Sequence, residues 1–127
     1  MRPIASWNFR RIPSRLWGLA RRRCPNCERG PIFPGLTPRM HAQCPVCRYV
    51  FEREPGYFLG ALAIGYFLAV ALSTAVALMV RRVWPTLDWE WCFAIGFGVY
   101  LLSASLVFQY ARSVWMYVDF WLDPPGA

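Results

Sequence analysis

The chain has 127 residues, of which 57% are hydrophobic and 17% aromatic, with seven tryptophans and five cysteines. A chain this short holds one soluble domain or a small membrane protein, not a string of domains, and so high an apolar fraction disfavours the first. Its fourteen basic residues are all arginine: eleven against three glutamates leave residues 1–55 at +8, and three against four acids leave the remainder at −1.

A basic head on an oily body fits nucleic-acid binding by charge alone, but it is also what membrane orientation demands. Residues 1–23 form the basic arm. Within them "SRLWGLARRR", residues 14–23, starts on a serine suited to cap a helix and mixes arginine with Leu16, Trp17 and Leu19. Such an amphipathic segment suits an anionic membrane surface; a disordered basic arm is the competing reading.

Residues 24–55 carry the chemistry. Cys24-x2-Cys27-x16-Cys44-x2-Cys47 sets two Cys-Pro-x-Cys knuckles at zinc-ribbon spacing. Each knuckle offers two sulfurs to one ion, and two knuckles complete a tetrahedron, so Cys24, Cys27, Cys44 and Cys47 are the expected metal ligands. Zinc is the expected ion, and iron takes the same four thiolates. The intervening "ERGPIFPGLTPRMHAQ" reads as turns and a short hairpin, giving a small β module. Its few apolar residues leave metal binding to supply the folding free energy. A thioredoxin-type redox pair would need a βαβ context, which is missing. His41 reads as a surface residue beside a complete ligand set, and Cys92 as a small buried hydrophobe.

Two spans follow. Tyr57 to Val80 is 24 residues without a charge, and Cys92 to Ala111 is 20. At about 1.5 Å per residue they reach roughly 36 and 30 Å, enough for a hydrocarbon core about 30 Å thick. The expected divisions are thus a first transmembrane helix over 56–80, an outer loop over 81–91 and a second helix over 92–111. Both lie too deep in the chain for a cleavable signal. In the first span Ala61, Gly65, Ala69, Ser73 and Ala77 recur every fourth residue, a small-residue face for close helix packing, matched more briefly by Ala94 and Gly98 in the second. Residues 112–127 read as an interfacial segment that either extends the second helix or bends along the surface, stopped by Pro124 and Pro125.

The tryptophans fall into two expected interfacial belts: Trp84, Trp89 and Trp91 on one side, and Trp7, Trp17, Trp115 and Trp121 on the other. With two spans the termini share a side. They hold twelve arginines against Arg81 and Arg82 in the loop, which predicts cytoplasmic termini. That compartment keeps thiols reduced and favours a metal over disulfides.

"CPNC" with Gly30 and Phe33, "CPVC", "FEREPGYFLGA" from Phe51 to Ala61 and the closing "YARSVWMYVDFWLDP" together resemble the bacterial membrane proteins grouped as domain of unknown function 983. The resemblance covers about residues 20–124. It implies an N-terminal zinc ribbon followed by two membrane helices, a place in the bacterial inner membrane and a link to membrane redox complexes. One departure stands out: Glu28 and Arg48 sit where such knuckles carry glycine, so both need a positive φ at some cost.

Neither uncharged run contains Asp, Glu, Lys, Arg or His, which excludes a proton relay, an ion path or haem ligation by histidine within them. The expectation is therefore no enzyme and no small-molecule substrate. It is a non-catalytic accessory or assembly subunit of a larger membrane (redox, respiratory or photosynthetic) complex, with lipids and other membrane subunits as partners. The alternative is a thiol-redox or metal-delivery factor in cytochrome oxidase maturation. A membrane-tethered nucleic-acid binder ranks below both, since only Tyr49 and Phe51 interleave with basic residues.

Overall fold

The computed structural model describes residues 12–123; Trp7, Pro124, Pro125 and the first half of the basic arm lie outside them. Among the described residues there are three helices: α1 (Ile12–Ala20), α2 (Leu59–Val83) and α3 (Trp89–Leu122).

Helix α1 already contains Ile12 and Pro13, so Ser14 lies inside it and is not its cap. Proline in a first turn costs no hydrogen bond, which lets the helix start earlier than the serine suggests. The helix stops in a Schellman motif. Arg23 N–H donates to the Gly18 carbonyl at 2.8 Å and Arg22 N–H to that of Leu19 at 2.9 Å, with Arg22 at φ 54°.

Helices α2 and α3 are both long and apolar enough to span a membrane. Their apolar side chains point outward: Leu102 is 91% exposed and Phe67 71%. A helix from a soluble core would bury such residues. Arg81 and Arg82 occupy the last turn of α2, where cations complement the helix dipole, and Glu90 occupies the first turn of α3, where an anion does. The non-helical link is therefore only residues 84–88, shorter than the expected loop. Helix α3 does not end at Ala111. It runs on for a total of 34 residues, roughly 51 Å at about 1.5 Å each, because Gln109, Ser113, Met116 and Phe120 continue one buried face.

The two helices pack antiparallel, Gly60 against Trp115, Gly65 against Ala111 and Ser73 against Gly96. On α2 the residues turned inward are those of the four-residue stripe: Ala61 and Ala77 are buried, and Gly65, Ala69 and Ser73 half-buried. On α3 the expected pair is corrected. Ala94 is exposed and Gly98 faces open space, whereas Cys92 and Gly96 are buried on the seam. A side chain at Gly96 would strike the Ser73 carbonyl. The offset of two residues turns α3 by about 200°, enough to carry a residue from one face to the opposite one.

Among the tryptophans, Trp84, Trp89 and Trp91 stand exposed at the link, and Trp17 and Trp121 at the other end. Trp115, at that same end, is half-buried and packs inward. Its ring lies over Gly60 and 6.4 Å from the Tyr57 ring, with the indole N–H buried and without a hydrogen-bond partner among the described residues. Only glycine at position 60 leaves that ring room.

Candidate metal centre

Between α1 and α2 the chain forms a cysteine module. No strand forms among the described residues; the expected β ribbon is reduced to two isolated bridges, Arg23 with Pro31 and Gln43 with Val50. Pro31, Pro34 and Pro38 withhold the N–H groups that a hairpin ladder would need.

Each bridge closes a knuckle. In the first, Glu28 N–H donates to the Cys24 carbonyl at 2.8 Å; in the second, Arg48 N–H donates to the Cys44 carbonyl at 2.9 Å. Both turns need a left-handed residue, and Glu28 (φ 56°) and Arg48 (φ 59°) supply it without being glycine. The strain expected at these two positions is thus present, of order 1–3 kcal/mol each. Glu28 gains something in return, since its carboxylate lies 3.9 Å from the guanidinium of Arg15, which is 4% exposed.

The knuckles bring all four sulfurs within 4.8 Å of one another. Cys24 Sγ lies 3.7 Å from Cys47 Sγ, and Cys27 Sγ 3.6 Å from Cys44 Sγ. A disulfide would need about 2.05 Å, and all five cysteines are free thiols. Four sulfurs about 2.3 Å from one ion would stand about 3.8 Å apart at the corners of a tetrahedron. The observed edges fit that figure, so the cluster can hold a metal ion. His41 and Cys92 lie outside it.

The surroundings suit thiolates. Gly30 N–H donates to Cys27 Sγ at 3.4 Å, and the Asn26 amide to Cys47 Sγ at 3.6 Å. Gly30 is also a cradle: a Cβ there would collide with the Cys44 sulfur. Burial pushes the Cys24 thiol far above its ordinary 9.0. Burial also raises Cys27, but amide hydrogen bonds from Gly30 and Arg29 outweigh it and hold that thiol below 9.0.

The module is not a free knob. Cys24, Ile32, Phe33, Cys44 and Phe51 form its core, and Met116 from α3 completes it. Phe120 adds an edge-on contact, 6.2 Å from the Tyr49 ring. Two polar clamps fasten this docking. In the first, the fully buried Gln109 donates to the Gly35 and Thr37 carbonyls at 2.8 Å each and accepts from Arg22. In the second, Asp119 accepts from Tyr57 at 2.8 Å and pairs with Arg53 at 3.4 Å. Tyr117 adds a bond to the Arg23 carbonyl at 2.9 Å.

Gln109, Arg22 and Gly30 carry this arrangement although sequence reading singled out only Gly30, and that through resemblance alone. Gln109 had a signal: it is the one carboxamide in an otherwise uncharged 20-residue run, and an amide in such surroundings demands partners. No protein-family model, curated protein or solved structure matches the chain.

Proposed function

We propose that the chain is a two-span protein of the bacterial inner membrane with both termini cytoplasmic, whose four thiolates hold zinc. It acts as a non-catalytic accessory or assembly subunit of a larger membrane complex. The resemblance to family 983 and the arginine distribution support the location. The reading of the module as a docking element rests on one observation. The module is clamped to α3 through Gln109 and Asp119, yet it keeps Leu36, Val46 and Val50 exposed at 67%, 54% and 44%. Apolar side chains held rigidly at a surface suit contact with a partner protein.

Native purification from the source membrane tests this reading. A defined set of membrane subunits should come with the chain, and a Leu36→Glu, Val46→Glu double variant should release them while remaining in the membrane. A chain that purifies alone from gently solubilised membranes overturns it.

A second reading, thiol redox or metal delivery, draws on one feature. Cys27 is only half-buried and its thiol is held below the ordinary value, the environment of a reactive cysteine. Thiols that cycle between dithiol and disulfide without unfolding the module would favour it over the first.

A further inference from the structure

The seam between α2 and α3 is tight at Ser73 and Gly96 but open along one side. A trough of about 910 Å³ runs there, walled by Gly65, Ala69 and Val70 of α2 and by Phe97, Tyr100 and Val107 of α3. Towards the cysteine module it ends at Glu52 and Arg112. The same two residues also line a second cavity of about 830 Å³, built from segments 38–43 and 50–55 of the module. An apolar trough between apolar helices and a polar chamber therefore adjoin at one arginine and one glutamate that line both.

Arg112 is prepared for an anion. Its guanidinium stands 4.3 Å from the ring centres of both Phe58 and Phe108, which fix its position. It makes no hydrogen bond or ion pair with any described residue, so its N–H groups are available. Basic pockets between membrane helices at the cytoplasmic side recognise phospholipid headgroups in this way. The chamber, however, is not simply basic. Arg53 is already engaged by Asp119 and Asp123, at 3.4 and 3.5 Å. The remaining charges are Arg39 and Arg112 against Glu52 and Glu54, two of each sign. An anionic headgroup would bring its excess charge against the two glutamates. A zwitterion would satisfy both signs.

We propose that trough and chamber together bind one zwitterionic, amine-bearing glycerophospholipid. An acyl chain lies along the trough, the phosphodiester accepts hydrogen bonds from Arg112, and the primary ammonium donates to Glu52. A quaternary choline lacks the N–H for that last contact and is discriminated against. The site rests on α2 and α3 spanning the bilayer, and retention of the chain in carbonate-washed membranes checks that point separately.

The experiment is native mass spectrometry of the full chain in detergent, titrated with dioleoyl phosphatidylethanolamine, phosphatidylglycerol or phosphatidylcholine. The ethanolamine lipid should form a single 1:1 adduct, with apparent affinity about tenfold above the other two, the scale of one charge-assisted hydrogen bond. Arg112→Gln should lower that affinity about tenfold. Glu52→Gln should erase the preference for ethanolamine over glycerol, and Ala69→Trp, which fills the trough, should abolish the adduct. Unchanged far-UV circular dichroism qualifies each variant; if Ala69→Trp fails it, Arg112→Gln and Glu52→Gln decide. Equal adducts with all three lipids, or full binding by Arg112→Gln, overturn the proposal. So does a second polypeptide that Ala69→Trp displaces while lipid adducts persist.

Discussion

Tyr57 donates its hydroxyl to Asp119 Oδ2 at 2.8 Å, tying the chain just before α2 to the far end of α3. Burial first, and then this bond to a carboxylate, push the Tyr57 hydroxyl well above its ordinary 10.0. A group whose pKa is raised on folding contributes stability that is complete below its unfolded value and lost as pH climbs past it. The clamp should therefore hold at neutral pH and weaken above about pH 10. Tyr57→Phe should cost about 1 kcal/mol near neutrality and make the alkaline loss shallower. The loss will not vanish, because burial also raises Tyr49. Denaturant unfolding followed by circular dichroism at several pH values checks this; parallel profiles for wild type and variant would contradict it.

Gln109 bears more of the docking than any other polar residue on α3. Gln109→Leu keeps the helix apolar and similar in volume but leaves the Gly35 and Thr37 carbonyls and an Arg22 N–H without their buried partner. Each orphaned group costs roughly 1–3 kcal/mol, less where water can enter. The 33–38 loop should lift from α3, with much faster amide exchange at Leu36 and Thr37 and no change in helix content. Unaltered protection across that loop would show that the apolar contact through Met116 suffices.

At the metal centre, X-ray absorption should find four sulfur neighbours at about 2.3 Å and no nitrogen. Cys24→Ser or Cys44→Ser should each abolish tight binding, since these two sulfurs are the buried ones. Because burial keeps Cys24 protonated in the metal-free protein, loading the ion releases protons, and affinity must fall as pH falls. A chelator competition whose apparent affinity does not change between about pH 8 and about pH 6 would contradict thiolate ligation.

The three non-glycine residues at positive φ among the described residues make a graded test. Arg22 repays its strain through Gln109 and Glu28 through Arg15, whereas the exposed Arg48 side chain forms no hydrogen bond or ion pair with any described residue. Arg48→Gly should stabilise the module by about 0.5–1 kcal/mol, the relief of a left-handed side chain less the entropy of glycine. Arg22→Gly and Glu28→Gly should be neutral or destabilising despite relieving the same strain. Thermal unfolding of the three variants side by side measures the order.

What was legible from the sequence followed from local rules. The spacing of Cys24, Cys27, Cys44 and Cys47, the uncharged runs and the need for a positive φ at Glu28 and Arg48 depend on a few neighbouring residues, and all reappear in the structure. The β content did not, because three prolines between the knuckles outweigh a pattern inferred from spacing. Nor did the docking of the module on α3. Gln109 meets Gly35 across 74 residues and Tyr57 meets Asp119 across 62, and no periodicity encodes such pairings. The extension of α3 to Leu122 is not encoded locally for the same reason: Met116 and Phe120 become a buried helical face only once the module covers them.

Gly96 and Gly98 lie one residue apart from each other on either side of Phe97, and the structure assigns them opposite fates. At Gly96 an added Cβ would run into the Ser73 backbone carbonyl, an atom held in the helical ladder of α2 and unable to swing aside. Relief requires the helices to separate, which forfeits the close packing that holds membrane helices together, since apolar burial contributes little between them in lipid. Gly96→Ala should therefore destabilise the hairpin by roughly 1–3 kcal/mol, the usual cost of overpacking. At Gly98 the added methyl meets nothing within 4 Å. Gly98→Ala should be neutral, or stabilising by up to about 1 kcal/mol through helix propensity. Unfolding in mixed micelles of increasing sodium dodecyl sulfate fraction compares the two variants directly. Equal stability, or a larger loss at Gly98, would place the seam on the Ala94–Gly98 face and overturn the packing described.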